Sequence, residues 1–190
     1  KALVVGYDFA FGMNRTGTYE VLQDLCRKYD IALFRLEPRK IDSKIVSSSI
    51  IREAISQGEI EGVSELLGRN FYLKGVVERG DGRGQKIGFP TANLKCAAEL
   101  IPKNGVYACW AVIRATRYKS VTNIGFTPTF TNKKVLKIET HLLEFNHDIY
   151  GEELRIEPIA RIRNEMQFSS IAGLVAQIQE DVKVAKGKFD

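Results

Sequence analysis

This 190-residue chain is poor in reactive and membrane-seeking features. It has three cysteines, Cys26, Cys96 and Cys109, widely spaced and without a C-x-x-C pair. An odd, dispersed set excludes a disulfide framework and a cysteine zinc site, so all three read as reduced packing residues. No run approaches the ~20 apolar residues of a membrane span, and no basic-then-apolar leader opens the chain. A cytoplasmic protein with no membrane contact is the expectation. The formal net charge is +5, yet Lys and Arg are scattered among acids without a basic tract, which argues against nucleic acid as a partner. Two common phosphate-loop signatures are missing as well. Gly80, Gly82 and Gly84 are followed by Gln85 and Ile87 where G-x-G-x-x-G needs its third glycine, and no G-x-x-x-x-G-K-[ST] occurs. Internal repeats and low-complexity segments are absent too.

What remains is 44% apolar, enough for one good core or two small ones. Up to Gly68 the pattern alternates strand and helix, as an α/β layer does. Strands are expected at Ala2 to Val5, buried, and at Ile31 to Leu36. Val21, Leu22, Leu25 and Cys26 mark a helix between them, and Ile50, Ile51, Ala54 and Ile55 mark a second that Gly58 stops. Beyond Gly68 short strand signals follow one another between turn residues, the pattern of a small antiparallel barrel or sandwich. These fall at Phe71–Glu78, Thr91–Leu94, Val106–Ile113, Tyr118–Ile124, Leu136–Leu143 and Leu154–Ile162. A closing helix carries the stripe Ile171, Leu174, Val175, Ile178 and Val182, with Ser169 or Ser170 as its cap. Two units result, residues 1–68 and 69–190.

The most informative stretch is Gly84-Gln85-Lys86-Ile87-Gly88-Phe89-Pro90-Thr91-Ala92-Asn93. Glycines let backbone N–H groups approach an anion, and Pro90 fixes the chain just ahead of two small oxygen donors. If the segment after Pro90 is extended, period-two alternation sets the Thr91 hydroxyl and the Asn93 amide on one face. Neutral oxygens suit Mg²⁺, which keeps waters and takes further ligands from nucleotide phosphates. A Gly/Pro turn joining two strands is the plainer alternative.

The residues Gly88-Phe89-Pro90-Thr91-Ala92-Asn93 reproduce the G-F-P-T-A-N signature of riboflavin kinases, and further blocks follow in order. They are Gly105-Val106-Tyr107-Ala108, Asn123-Ile124-Gly125 with Pro128-Thr129-Phe130, Ile138-Glu139-Thr140-His141 with Asp148-Ile149-Tyr150-Gly151, and Arg163-Asn164-Glu165 with Phe168. From about Leu67 onward the chain therefore resembles a riboflavin kinase domain. Gly6-Tyr7-Asp8-Phe9-Ala10-Phe11-Gly12 and Ser47-Ser48-Ser49-Ile50-Ile51-Arg52 resemble the end of the adenylyltransferase (FAD synthetase) domain fused to that kinase in bacterial bifunctional enzymes. The fold implied is an α/β remnant of a nucleotidyltransferase Rossmann-like domain, followed by a small antiparallel β-barrel with a C-terminal helix. The family's H-x-G-H-type motif has no counterpart: the two histidines, His141 and His147, both lie in the second unit. With a strand signal directly after Lys1, this leads us to expect an N-terminally truncated fragment that makes FMN but does not adenylylate it to FAD.

The resemblance implies transfer of the ATP γ-phosphoryl group to riboflavin, giving FMN and ADP, with Mg²⁺ accompanying the nucleotide. It makes Thr91 and Asn93 the metal and phosphate ligands and Glu139 the general base, with His141 second. On pattern alone Glu139 reads as an exposed strand carboxylate paired with Lys137, and Thr91 and Asn93 as polar residues at a strand start. Gly82, Gly84, Lys86, Gly88 and Pro90 would wrap the nucleotide phosphates, and Asn123 would contact the nucleotide. Arg163, Glu165, Phe168 and Leu174 would meet the flavin, though a helix staple and a core leucine explain the last two equally well. Ser47, Ser48 and Arg52 match the adenylyltransferase's second nucleotide motif, and serines there are also plain helix caps. Two other functions compete. A non-catalytic flavin- or nucleotide-binding barrel would have no use for the carboxylate, and a single-strand nucleic-acid barrel would need more exposed aromatics than Tyr118 beside Arg117 and Lys119.

Overall fold

A computed structural model describes residues 1–128 and 134–189. By compactness the chain divides into two units, Lys1–Ser47 and Ser48–Asp190. In the first, β1 (Ala2–Gly6) and β2 (Ala32–Leu36) pair in parallel, joined through α1 (Tyr19–Lys28). Parallel strands cannot be joined by a tight turn, which is why a helix intervenes. Leu22 and Cys26 of α1 pack with Val5, Phe11 and Leu33. A short hairpin follows, β3 (Lys40–Ile41) with β4 (Lys44–Ile45). The expected buried strand at Ala2 to Val5 is buried only at Val5; Leu3 and Val4 are 37% and 56% exposed. The reason is coverage: this sheet has two strands among the described residues, and α1 packs on one side of it.

The second unit opens with α2 (Ser48–Gln57) and α3 (Val63–Leu67). Gly58 stops α2 with φ +79°, a left-handed conformation that favours glycine. Ile60, between these helices, is 4% exposed within the barrel core, so the compact division precedes the boundary at residue 68 that the family pattern sets. Six strands then close a barrel: β5 (Leu73–Glu78), β6 (Ala92–Cys96), β7 (Gly105–Ile113), β8 (Thr116–Pro128), β9 (Lys134–Leu142) and β10 (Glu153–Arg163). The order around it is β10-β5-β6-β9-β8-β7, every pair antiparallel. The sequence had left a barrel or a sandwich open; closure removes every edge. All six strand positions match the sequence reading to within a few residues, β8 running longest beyond it. A one-turn helix, α4 (Arg83–Lys86), lies in the glycine-rich segment read as loop.

Alternation sorts the strands. Val77, Leu94, Tyr107, Cys109, Ile124, Ile138, Leu154 and Ile156 fill the interior. Three buried hydroxyls join them with partners: Thr122 and Thr140 share a hydrogen bond at 3.1 Å, and Ser120 donates to the Cys109 carbonyl at 2.9 Å. On the outside, α5 (Ile171–Lys186) lays Val182 and Ala185 over Val106, Ala108, Val121 and Ala160. Small residues on both sides let helix and sheet approach closely. Ser170 caps α5, accepting from the Gly173 N–H at 3.1 Å.

Candidate active site

Because Val77, Ala92, Ile138 and Ile124 point inward, their neighbours Glu78, Asn93, Glu139 and Asn123 point outward. Register then brings them together. Glu78 pairs with Asn93, Asn93 with Glu139, and Glu139 with Asn123 across four adjacent strands. Directly opposed residues on one face hold their Cβ atoms about 5 Å apart, so Asn93 and Glu139 are immediate neighbours although 46 positions separate them. The row continues through Val106 to Arg163 and thus runs from this site to the edge of α5.

Thr91, Asn93 and Glu139 line one small cleft of about 60 Å³ together with Gly82, Gly84 and Pro90. Gly80, Asp81, Arg83, Gln85, Lys137 and Tyr150 complete it. Two glycines are there for close approach: a Cβ on Gly80 would lie 2.2 Å from Asn93 Nδ2, and one on Gly84 2.3 Å from the Phe89 carbonyl oxygen. Gly82 and Gly88 serve conformation instead, at φ +67° and +86°. The N–H groups of Ile87, Gly88 and Phe89 bond to the Gly84 and Gln85 carbonyls, which spends the exit of the segment on its own turn. Accordingly Gly80 to Gln85 face the cleft, whereas Lys86 and Gly88 do not line it. The cation of this segment that lines the cleft is Arg83, paired with Asp81 at 3.3 Å.

Glu139 forms an ion pair with Lys137 at 3.1 Å. His141, the second candidate base, bonds through Nδ1 to the Pro90 carbonyl at 2.8 Å and packs edge-on against Phe89. It therefore braces the backbone leading into Thr91. Asn123 is half-buried beside Glu139 in the row but does not line the cleft. Beside the cleft opens a cavity of about 420 Å³ that shares Gln85, Pro90, Thr91 and Tyr150 with it and is walled by Val77, Leu142, Phe145 and Ile149. An apolar chamber of this size admits a planar heteroaromatic group.

The residues expected at the flavin are less free. Arg163 donates through Nε and Nη2 to the Asp181 carboxylate, both at 2.7 Å, and through Nη1 to the Asn164 carbonyl at 2.8 Å. Asp181, 3% exposed, also accepts from Gln177 Nε2 at 3.0 Å. Sequence reading missed Asp181, whose signal is an acid beside Val182 in the apolar stripe of α5, a place that demands a cation. The guanidinium of Arg163 lies 5.9 Å over the Phe168 ring. Glu165 accepts from Asn104 Nδ2 at 3.1 Å and lies against Gly125, where a Cβ would meet its Oε1 at 1.9 Å. Leu174 is half-buried. Ser47 ends the first unit, Ser48 opens α2, and Arg52 lies within that helix. Thr129 and Phe130 fall outside the described residues. No helix among those described is long and apolar enough to cross a membrane.

A closed six-stranded antiparallel barrel thus carries, on its outer face, a glycine-bordered cleft lined by Thr91, Asn93 and Glu139. A family model for riboflavin kinase matches residues 67–189, and one for FAD synthetase matches residues 1–50. The chain belongs to the riboflavin kinase family. A bifunctional riboflavin kinase/FMN adenylyltransferase of Bacillus subtilis is 39% identical over 186 residues, covering 96% of this chain and 58% of the relative. Its counterpart from Haemophilus influenzae is 34% identical over 191 residues, covering all of this chain and 62% of the relative. The chain thus spans about 60% of the length of such relatives. A crystal structure named as a macrolide-efflux protein from Streptococcus pneumoniae superposes with a TM-score of 0.85 at 32% identity, over 95% of this chain and 58% of that one. That name describes the Streptococcus protein; the likeness carries the fold.

Proposed function

We propose that residues 69–190 are a riboflavin kinase domain, transferring the γ-phosphoryl group of ATP to the 5′-hydroxyl of riboflavin to give FMN and ADP. The observation that carries this is the cross-strand adjacency of Asn93 and Glu139 in a cleft that also holds Thr91. Phosphoryl transfer requires a held nucleotide, neutralised charge and an aligned hydroxyl near a base. The riboflavin 5′-oxygen forms a bond to Pγ as the bond from Pγ to the β,γ-bridging oxygen breaks. That electron pair leaves on ADP, and the hydroxyl proton passes to the Glu139 carboxylate.

The donor set fits Mg²⁺. Thr91 and Asn93 offer neutral oxygens, and among the described residues no group of three His, Cys, Asp or Glu forms an all-protein cage. Gly80 leaves the space that the Asn93 amide occupies. When bound, the ion neutralises charge on the phosphates; Thr91 Oγ1 and Asn93 Oδ1 would hold it. The 420 Å³ chamber beside the cleft supplies apolar walls for one of the two ring systems. On the flavin side, Arg163 acts through Phe168, its guanidinium being committed to Asp181.

Residues 1–68 we read as the end of the adenylyltransferase domain, a nucleotidyltransferase Rossmann-like remnant in which Ser47, Ser48 and Arg52 would be phosphate ligands. The Lys137 pair with Glu139 is the one feature favouring the competing non-catalytic barrel, since it is what an idle carboxylate would do. The nucleic-acid alternative loses support. Tyr118 packs edge-on against Phe145, and Arg117 is held by Glu157 and the Trp110 ring. Incubation with riboflavin, ATP and Mg²⁺ should yield FMN and ADP in equal amounts. A folded chain that binds both substrates without turning them over would establish the non-catalytic reading instead.

A further inference from the structure

Both cations that line the cleft are held by acids that line it too. Lys137 Nζ lies 3.1 Å from Glu139 Oε1, and Arg83 Nη2 3.3 Å from Asp81 Oδ2. The cleft is therefore electrically balanced before a polyanion enters. A nucleoside triphosphate cannot settle beside two carboxylates without drawing cations toward itself. Lys137 and Glu139 are two residues apart on β9 and so share its outer face. The lysine carries its charge on a flexible four-carbon stem, and its side chain is 41% exposed, so leaving the glutamate costs little.

We propose that Lys137 is a further catalytic residue, whose ammonium group moves from Glu139 to the terminal phosphate of the bound nucleotide. The move has two effects. It places positive charge on the group to be transferred, and it uncovers the Glu139 carboxylate for the substrate hydroxyl only once nucleotide is present. A base still paired to the ammonium has a lone-pair site occupied and a competing proton donor in contact. This inference rests on the kinase reading above.

The test is direct binding of ATP, ADP and AMP with Mg²⁺, measured by calorimetry on the unmodified chain, on Lys137→Met and on Lys137→Arg. Losing a charge-assisted contact to the terminal phosphate should weaken ATP about tenfold or more in Lys137→Met while leaving AMP unchanged. Lys137→Arg, which keeps the charge, should stay within about threefold of the parent. Glu139→Gln should tighten ATP by up to about fivefold, the ceiling for an exposed pair no longer to be broken, and that gain should vanish in the double variant with Lys137→Met. Equal losses for all three nucleotides, no loss for ATP, or a loss as large in the arginine variant would each overturn the proposal. If the parent makes FMN and binds ATP while Lys137→Met binds it equally well, this inference alone falls. A parent that neither binds ATP nor makes FMN overturns both.

Discussion

Gly80→Ala isolates the position of Asn93 from its chemistry. Gly80 has no left-handed φ, so alanine fits its backbone, but the new Cβ would stand 2.2 Å from Asn93 Nδ2, 2.7 Å from Cγ and 2.9 Å from Oδ1. Favourable contact begins near 3.5 Å, so the amide has to retreat by about 1 Å or more. A misplacement of that size costs about a hundredfold in rate, equivalent to about 2.7 kcal/mol of transition-state stabilisation. Stability should hardly move. Replacing glycine restricts the unfolded chain and gains about 0.4–1 kcal/mol, and an off-rotamer Asn side chain costs about 0.5–1.5 kcal/mol. The assay pairs steady-state kinetics of riboflavin phosphorylation with a melting curve. Gly62→Ala supplies the control: at φ +86° with nothing within 4 Å, it should lower stability by about 1 kcal/mol and leave turnover alone. In an Asn93→Leu background Gly80→Ala should add little, because the group it displaces is already gone. Turnover of Gly80→Ala within threefold of the parent at unchanged melting temperature would refute the placement of Asn93 in the reaction.

Glu139→Gln should keep the fold and lower turnover by about a hundredfold or more, the range for a positioned general base; turnover within a few-fold of the parent would return Glu139 to the surface ion pair it makes with Lys137. Thr91→Val and Asn93→Leu should each weaken ATP binding in Mg²⁺ and leave it little changed without the metal, so titrations whose Mg²⁺ dependence matches the parent in both variants would remove the metal-site reading. Stability should fall in alkali. Burial pushes the Cys109 thiol from an ordinary 9.0 up to about 12, against a smaller opposing hydrogen bond with Thr122, and burial likewise raises the Tyr107 hydroxyl, against Arg161. Both are held neutral in the fold; the contribution of Cys109 is intact below pH 9 and is lost toward 12, by about 1.4 kcal/mol per pH unit, and that of Tyr107 is lost in the same direction as pH rises. Urea midpoints should therefore decline between pH 9 and 11, less steeply in Cys109→Ala, and a flat profile would contradict the burial.

The barrel strands were legible because short strand signals follow one another between turn residues, and α5 because its stripe has helical spacing and a serine cap. Burial in the first unit was not legible. Ala2 to Val5 is uniformly apolar, which reads as a strand covered on both faces, yet apolarity reports what a strand can bury, and only packing decides what it does bury. The helix at Arg83–Lys86 escaped because glycines dominate its flanks, and glycine argues for a turn whether or not one helical turn is made there.

For the site, sequence delivered residues and the structure delivered their neighbours. Thr91 and Asn93 are close in sequence, so strand alternation alone joins them. Glu139 reaches Asn93 only through the register of β6 on β9, and a shift of one residue would have turned it into the interior in place of Ile138 or Thr140. The same consideration explains the lysines. Lys86 looked like the phosphate cation because it sits inside the motif, but the turn from Gly84 to Phe89 closes on itself and carries Lys86 past the cleft. Lys137 lies far from that motif in sequence, yet β9 sets its side chain on the same face as Glu139 and at its carboxylate. Charge in this cleft thus comes from two stretches, the glycine-rich segment through Asp81 and Arg83 and β9 through Lys137 and Glu139. The cleft is completed by Thr91 and by Asn93, which the register of β6 on β9 sets beside Glu139.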